Sequence, residues 1–164
     1  MVRGIALPCV FRNFFKAGAS YFGISDLETF VGETHKFESR YLDRLVGPYP
    51  EKKKLYHERS AISFIDQISC PMILFQGLED EVVPPDQSEK LYRVLRDKGL
   101  PTAYFAYPGE QHGFRKSENI KRSIDAEFYF FGKVFGFQPA DQIEPFHIDN
   151  LESIQGRPLM QQAE

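Results

Sequence analysis

The stretch from residue 71 to residue 107 constrains the fold of this chain more than any other part of the sequence. Its first segment, Pro71 to Gly77 (PMILFQG), is a continuous apolar run that ends in glycine, which is typical of a strand buried on both faces of a parallel sheet. Its last segment, Thr102 to Tyr107, predicts a second strand. Because the crossover between two such strands is right-handed, both strands are expected to end at the same edge of the sheet.

The segment between these strands carries the start and stop signals of a helix. Pro84-Pro85 announces the helix, and Asp86 with Glu89 three residues later is predicted to form a capping box at its first turn. Gly99 predicts its end. The inward positions are predicted to be Leu91, Val94 and Leu95.

The flanking segments predict further layers around this unit. Phe15 to Gly23 is short and rich in small residues, as expected for another strand of the same sheet. Residues 26–60 have a broken helical pattern with a stop at Gly47-Pro48, which predicts an insertion beside the sheet. A last helix is predicted from Ser117 to Phe135, and the apolar stripe expected to pack on the sheet comprises Ile120, Ile124, Phe128, Phe131 and Phe135.

Composition narrows the class of protein. With 164 residues, of which 42% are apolar and 26% charged, the chain is an ordinary globular domain, and a net charge of −3 argues against nucleic-acid or membrane partners. Cys9 and Cys70 are far apart and have no metal-ligand spacing. No phosphate loop or dinucleotide fingerprint occurs, so we expect no cofactor and no metal. The lack of a signal peptide predicts a cytoplasmic protein.

Two residues with catalytic chemistry directly follow the two predicted strands. Asp80 comes three residues after Gly77, and His112 lies in the segment Glu110 to Phe114 (EQHGF). Ligands of open α/β sheets bind at the carboxyl ends of the strands, where both residues are expected to meet. An acid and an imidazole in this arrangement are two members of a catalytic triad.

Other acids and histidines compete for these roles. Glu79 points away from Asp80 in an extended segment, and Asp86 is better used as the helix cap. An ordinary turn residue would also explain Asp80, because aspartate is common in such connections. The remaining histidines lie in helical or tail segments without a preceding strand: His35, His57 and His147.

A nucleophile is not evident in the sequence. Serine hydrolases of the α/β class carry theirs in a GxSxG turn, and this sequence contains none. Ser20 and Ser25 have glycine two places before them but not two places after, so both are predicted to be structural. Cys9 lacks the glycines of such a turn and any group that would lower its pKa.

Several segments between Phe14 and Asn150 match a known family when they are taken together. They are KAGAS at 16–20, GISDL at 23–27, HKFESRY at 35–41, Gly47-Pro48, CPMILFQG at 70–77 and GEQHGFR at 109–115. In these segments the chain resembles the C-terminal half of the catalytic domain of the prolyl oligopeptidase family, in its acylaminoacyl-peptidase and dipeptidyl-peptidase-like branch.

The resemblance implies a fold and an activity. The fold would be α/β, the C-terminal portion of a three-layer α/β-hydrolase with a mostly parallel, incomplete sheet, spanning residues 1–136, and residues 137–164 would be a largely irregular extension. Asp80 would be the triad acid and His112 the triad base of a serine peptidase acting on short peptides near their N-termini. The family's nucleophile turn would precede this chain, so we expect a truncated form that is inactive alone.

Two alternatives from other classes remain open. The chain could be a non-catalytic interaction fragment, because a strand at residues 16–21 without a neighbour would expose an edge for association. We therefore expect poor solubility, a homo-oligomer, or binding to full-length paralogues. A small esterase with another nucleophile is the third interpretation, and it would need a turn that the sequence lacks.

Overall fold

The computed structural model describes residues 15–33 and 41–154. Its sheet has three parallel strands in the order β1 (Gly18–Tyr21), β2 (Met72–Gly77) and β3 (Thr102–Tyr107). The predicted strands at 71–77 and 102–107 are confirmed. The first strand is shorter than its predicted span of 15–23.

The helices lie between and after these strands. Their bounds are α1 (Leu27–Glu33), α2 (Tyr41–Leu45), α3 (Lys53–Arg59), α4 (Pro85–Asp97) and α5 (Ser117–Phe135). A kinked 3₁₀ segment, Ala61–Gln67, leads into β2. Helices α1 to α3 share a small core around the buried Tyr56, so the predicted insertion between β1 and β2 is confirmed.

The central strand β2 is buried along its whole length, and its side chains alternate between two cores. Leu74 packs towards α4, where it joins Leu91 and Leu95. Phe75 packs towards α5, where it joins Ala126 and Phe130. Helices therefore cover both faces of the sheet and make the three layers that an apolar parallel strand requires.

The predicted cap of α4 is wrong. The helix begins at Pro85 with Pro84 as its N-terminal cap, and no side chain caps it. Because the ring of Pro85 already fixes helical geometry at the first position, Asp86 lies inside the first turn. Its Oδ2 is 2.9 Å from the Nζ atom of Lys90 one turn later.

Four of the five residues in the predicted apolar stripe of α5 face outwards, which is a second correction, whereas Phe131 packs against the core as predicted. Ile124 is 62% exposed and Phe128 is 48% exposed. The side of α5 that meets the sheet instead consists of Ser123, Ala126, Phe130 and Val134. On the sheet, Phe75 and Phe105 stack at 5.5 Å between ring centroids, and Ala126 and Phe130 of α5 pack in the same cluster.

The exposed residues, here called the α5 stripe, are Ile120, Ile124, Phe128 and Phe135. The stripe lies on the flank of α5 towards β1. This placement follows because Tyr21 of β1 donates a hydrogen bond of 2.7 Å to Glu127, which is on the same flank of the helix.

The chain after α5 covers the outer edge of β3. It runs irregularly from residue 137 and packs Phe146 and Ile148 into the core beneath α5. Thr102 and Asp149 exchange two backbone hydrogen bonds of 3.1 and 2.9 Å. Within the part of the chain that the structure describes, no strand pairs with the outer edge of β1.

Glu110 anchors the connection between β3 and α5. Its buried carboxylate accepts hydrogen bonds from the backbone N–H groups of Arg115 and Lys116 and from the Asn119 side chain, at 2.8, 3.0 and 2.7 Å. Burial by itself would raise the pKa of Glu110, but these hydrogen bonds outweigh it and hold the pKa below its ordinary value.

Replacing an aromatic residue on the buried side of α5 should destabilise the fold much more than replacing one on its exposed side. Phe130→Ala opens a cavity in the core and is expected to lower the free energy of unfolding by about 3–5 kcal/mol. Phe128→Ala removes an exposed ring and should cost less than about 1 kcal/mol. Urea titrations of both variants measure the difference. Equal losses would show that the stripe is buried after all.

The Glu110 carboxylate should make stability depend on acid pH. A carboxyl whose pKa is lowered by folding stabilises the native state fully above its ordinary value of 4.5, and this contribution disappears as pH falls through the folded pKa. Glu110→Gln should therefore be less stable than the native chain at pH 7. The difference between the urea midpoints of the native chain and Glu110→Gln should narrow below about pH 4.5. A gap that is constant from pH 7 to pH 3 would contradict this role.

Candidate catalytic acid and base

Asp80 lies in the turn that follows β2, with its side chain completely shielded from solvent. Its Oδ1 atom accepts hydrogen bonds from the backbone N–H groups of Val82 and Val83, at 2.9 and 2.8 Å. Aspartate often closes a turn in this way. The turn therefore uses one carboxylate oxygen and leaves the other, Oδ2, for contacts with other elements.

The Oδ2 atom of Asp80 meets two side chains. The Nδ1 atom of His112 is 2.9 Å away, and the Nε2 atom of Gln76 donates to the same oxygen at 3.1 Å. With the two turn hydrogen bonds, the carboxylate has four partners, which matches its four lone-pair positions. Its orientation is therefore fully specified.

His112 contacts a buried carboxylate, but its own ring is accessible to solvent. Its side chain is 41% exposed, in contrast to the fully shielded side chain of Asp80. Because a carboxylate carries no hydrogen, the hydrogen between the two residues belongs to Nδ1 of the imidazole. In the neutral ring, Nε2 then has a lone pair and no hydrogen. Among the described residues, nothing donates a hydrogen bond to this atom.

A close approach of two backbones brings Asp80 and His112 together. A side chain at Gly77 would place its Cβ 2.5 Å from the carbonyl oxygens of both Glu110 and Gln111. The Glu79 N–H also donates to the Glu110 carbonyl at 2.9 Å. Only glycine allows the end of β2 to lie this near the histidine loop.

The residue that follows β1, Phe22, packs beside His112. The ring of Phe22 lies 5.2 Å from the imidazole and 4.8 Å from the ring of Phe114, measured between centroids. Phe22 has a φ of +54°, an uncommon backbone conformation for an aromatic residue, and its N–H donates to the Phe75 carbonyl at 3.0 Å. The carboxyl ends of all three strands therefore meet at the imidazole.

The competing acids and histidines lie in other surroundings. Glu79 is exposed, and Asp86 pairs with Lys90. His57 lies 3.4 Å from a carboxylate oxygen of Glu28, and His147 is 84% exposed beside Asp149. In the described ranges, none of these residues is hydrogen-bonded to Asp80. His35 lies outside the described residues.

Both serines considered as nucleophiles are enclosed. The Ser25 hydroxyl donates to the Gln87 carbonyl at 2.6 Å. Ser20 is buried in β1, and its Oγ lies so close to Gly23 that a Cβ there would overlap it. Neither hydroxyl is hydrogen-bonded to His112 in the described part of the chain. Cys9 lies outside it.

Two polar residues of this site were missed by the sequence reasoning. Gln76 and Ser88 are both buried, and the Ser88 hydroxyl donates to the Gln76 side-chain oxygen at 2.8 Å. The available signal was the single polar residue in the apolar run of β2, which is costly to bury unless its amide is satisfied.

Within residues 15–33 and 41–154, no group of three or more His, Cys, Asp or Glu side chains could hold a metal ion. No helix in these ranges combines the length and apolar character that crossing a membrane requires.

Solved structures similar to this chain are peptidases. A Mycobacterium tuberculosis puromycin-hydrolyzing peptidase is 48% identical and superposes with a TM-score of 0.81 over 86% of this chain and 21% of its own. A puromycin hydrolase is 35% identical, with a TM-score of 0.80, over 85% of this chain and 21% of its own. These structures identify the sheet and its helices as part of an α/β-hydrolase fold.

Curated relatives agree with this result. Dipeptidyl aminopeptidase BIII of Pseudoxanthomonas mexicana is 29% identical over 112 residues, which are 65% of this chain and 16% of that enzyme. The chain thus spans about a sixth of this relative and about a fifth of the solved peptidases. The profile described as "Prolyl oligopeptidase family" matches residues 5–138. The chain therefore belongs to the prolyl oligopeptidase family.

Proposed function

We propose that this chain carries the acid and base of a serine peptidase, and that the nucleophile is supplied from outside these 164 residues. The observation that supports it is the Asp80 carboxylate, buried and 2.9 Å from Nδ1 of a His112 ring that is itself accessible. The absence of a GxSxG sequence supports the second half of the proposal. On its own, the pair should not hydrolyse amides.

The geometry suits the two roles. Asp80 holds the imidazole in the tautomer that leaves Nε2 as a proton acceptor, and it stabilises the imidazolium that forms during the reaction. Nε2 of His112 takes the proton from the serine hydroxyl as that oxygen attacks the amide carbon. The same nitrogen then returns the proton to the departing amine. Asp80 accepts a hydrogen bond throughout and takes no proton.

The proposed substrates are short peptides, from which an N-terminal acylated residue or a dipeptide is released. This proposal draws on the relatives, which include an acylamino-acid-releasing enzyme of Homo sapiens that is 33% identical over 61 residues. That match spans 37% of this chain and 8% of the human enzyme. The two solved peptidases are named for the hydrolysis of puromycin.

A fluorophosphonate probe tests where the nucleophile lies. The 164-residue chain is expected to remain unlabelled by intact mass. A chimaera in which the nucleophile-bearing part of the Mycobacterium tuberculosis peptidase precedes these residues is expected to be labelled. Labelling of the short chain itself would reveal a nucleophile within it and would contradict the proposal.

The same chimaera tests the roles of the two residues. Asp80→Asn should slow peptide hydrolysis by about four orders of magnitude, because an amide holds the imidazole in the wrong tautomer. Glu79→Gln changes the neighbouring, exposed carboxylate and serves as the matched control, with an expected effect within about twofold. Similar losses in both variants would exclude Asp80 as the specific acid.

A second candidate function is association through the open side of the sheet. It is favoured by the unpaired outer edge of β1 in the described region together with the α5 stripe on the same flank. The proposed occupant is a strand from another chain of this family, in the purified protein a second copy. Such a strand would cover the outer edge of β1 and the α5 stripe at the same time.

One substitution tests this edge without breaking the sheet. The N–H groups of Gly18 and Phe22 donate to β2, so the alternating N–H of Ala19 faces away from it. Ala19→Pro should therefore preserve the fold and block the edge. Sedimentation velocity is expected to show oligomers for the native chain and monomers for Ala19→Pro and Phe128→Lys.

A control for lost apolar surface is Leu45→Lys, which alters a comparably exposed residue on α2. It should leave association unchanged. A native chain that stays monomeric and folds cooperatively at every concentration tested would remove the second candidate.

A further inference from the structure

Gln76 is a completely buried polar side chain near the end of the apolar strand β2. It occupies the fifth position of β2, one residue before the glycine that allows the two loops to approach. Burying an amide without partners costs several kcal/mol in an apolar medium, and the mechanism described above assigns this residue no role.

The contacts of Gln76 fix the orientation of its amide. The Nε2 atom is surrounded by acceptors, namely the Asp80 carboxylate at 3.1 Å and the carbonyls of Val83 and Gly77 at 3.0 and 3.3 Å. Its Oε1 atom instead accepts the hydrogen of the Ser88 hydroxyl at 2.8 Å. Rotating the amide by 180° would place oxygen against three acceptors, so only one orientation is satisfied.

Ser88 connects this amide to helix α4. It is buried in the first turns of the helix, and its hydroxyl fixes the oxygen end of Gln76. The nitrogen end is then held against Oδ2 of Asp80. Because the backbone of Val82 and Val83 holds only Oδ1, Gln76 is the second fixed contact that prevents Oδ2 from turning away from the histidine.

We propose that Gln76, locked by Ser88, is a positioning residue for the acid. It holds Oδ2 of Asp80 where that atom binds the Nδ1 hydrogen of His112, and so keeps Nε2 available as the base. This inference rests on the proposed roles of Asp80 and His112. It adds a chain of three side chains that joins α4 to the imidazole.

NMR of the ¹⁵N-histidine-labelled chain tests the inference without requiring activity. The His112 signal is assigned by its loss in His112→Asn. In Gln76→Met, which keeps the length of the side chain and removes its hydrogen bonds, the Nδ1 hydrogen should exchange with water about tenfold faster. The ring should also populate both neutral tautomers. Ser88→Ala should shift both readouts in the same direction by a smaller amount.

Gln87→Met is the matched control. Gln87 is also a fully buried glutamine, adjacent to Ser88, but its side-chain oxygen accepts from the backbone of Ser25 and Asp26. It should lower stability and leave the His112 signals unchanged. If Gln76→Met fails to fold, Ser88→Ala decides the question. Folded variants at Gln76 or Ser88 with native His112 exchange and tautomer would overturn the inference, whatever the probe experiment shows.

Discussion

The site depends on the close approach of two loop backbones at Gly77. A Cβ there would overlap the carbonyls of Glu110 and Gln111, so the end of β2 and the histidine loop can meet only at a glycine. Asp80 is then near enough to bind Nδ1 of His112, and Glu110 holds the other end of the same loop to the start of α5. Sheet, loops and helix are thus connected through one tight contact.

The sequence predicted the elements near this contact well, because short-range signals determine them. The apolar run of β2 and the glycines after the strands and helices specify where elements end, and parallel strands bring Asp80 and His112 to one edge. Gln76 illustrates the limit. Its inferred role depends on a hydrogen bond from Ser88, twelve residues away, and on the orientation of its amide. A linear sequence pattern records neither of them.

The error at α5 has a different physical origin. A sequence shows which residues are apolar and how they are spaced, but α5 has two apolar sides, and spacing alone does not say which one meets the sheet. The side with Ala126 and Phe130 packs against the cluster that contains Phe75 and Phe105. Phe128 lies on the exposed side.

The most direct test of the central claim is a crystal structure of the chimaera after reaction with a fluorophosphonate. If Asp80 and His112 are the acid and base, Nε2 of His112 should lie about 2.6–3.2 Å from the Oγ of the modified serine, with Nδ1 still bound to Asp80. A modified serine whose Oγ is hydrogen-bonded to a different basic group, with His112 turned away, would contradict the claim.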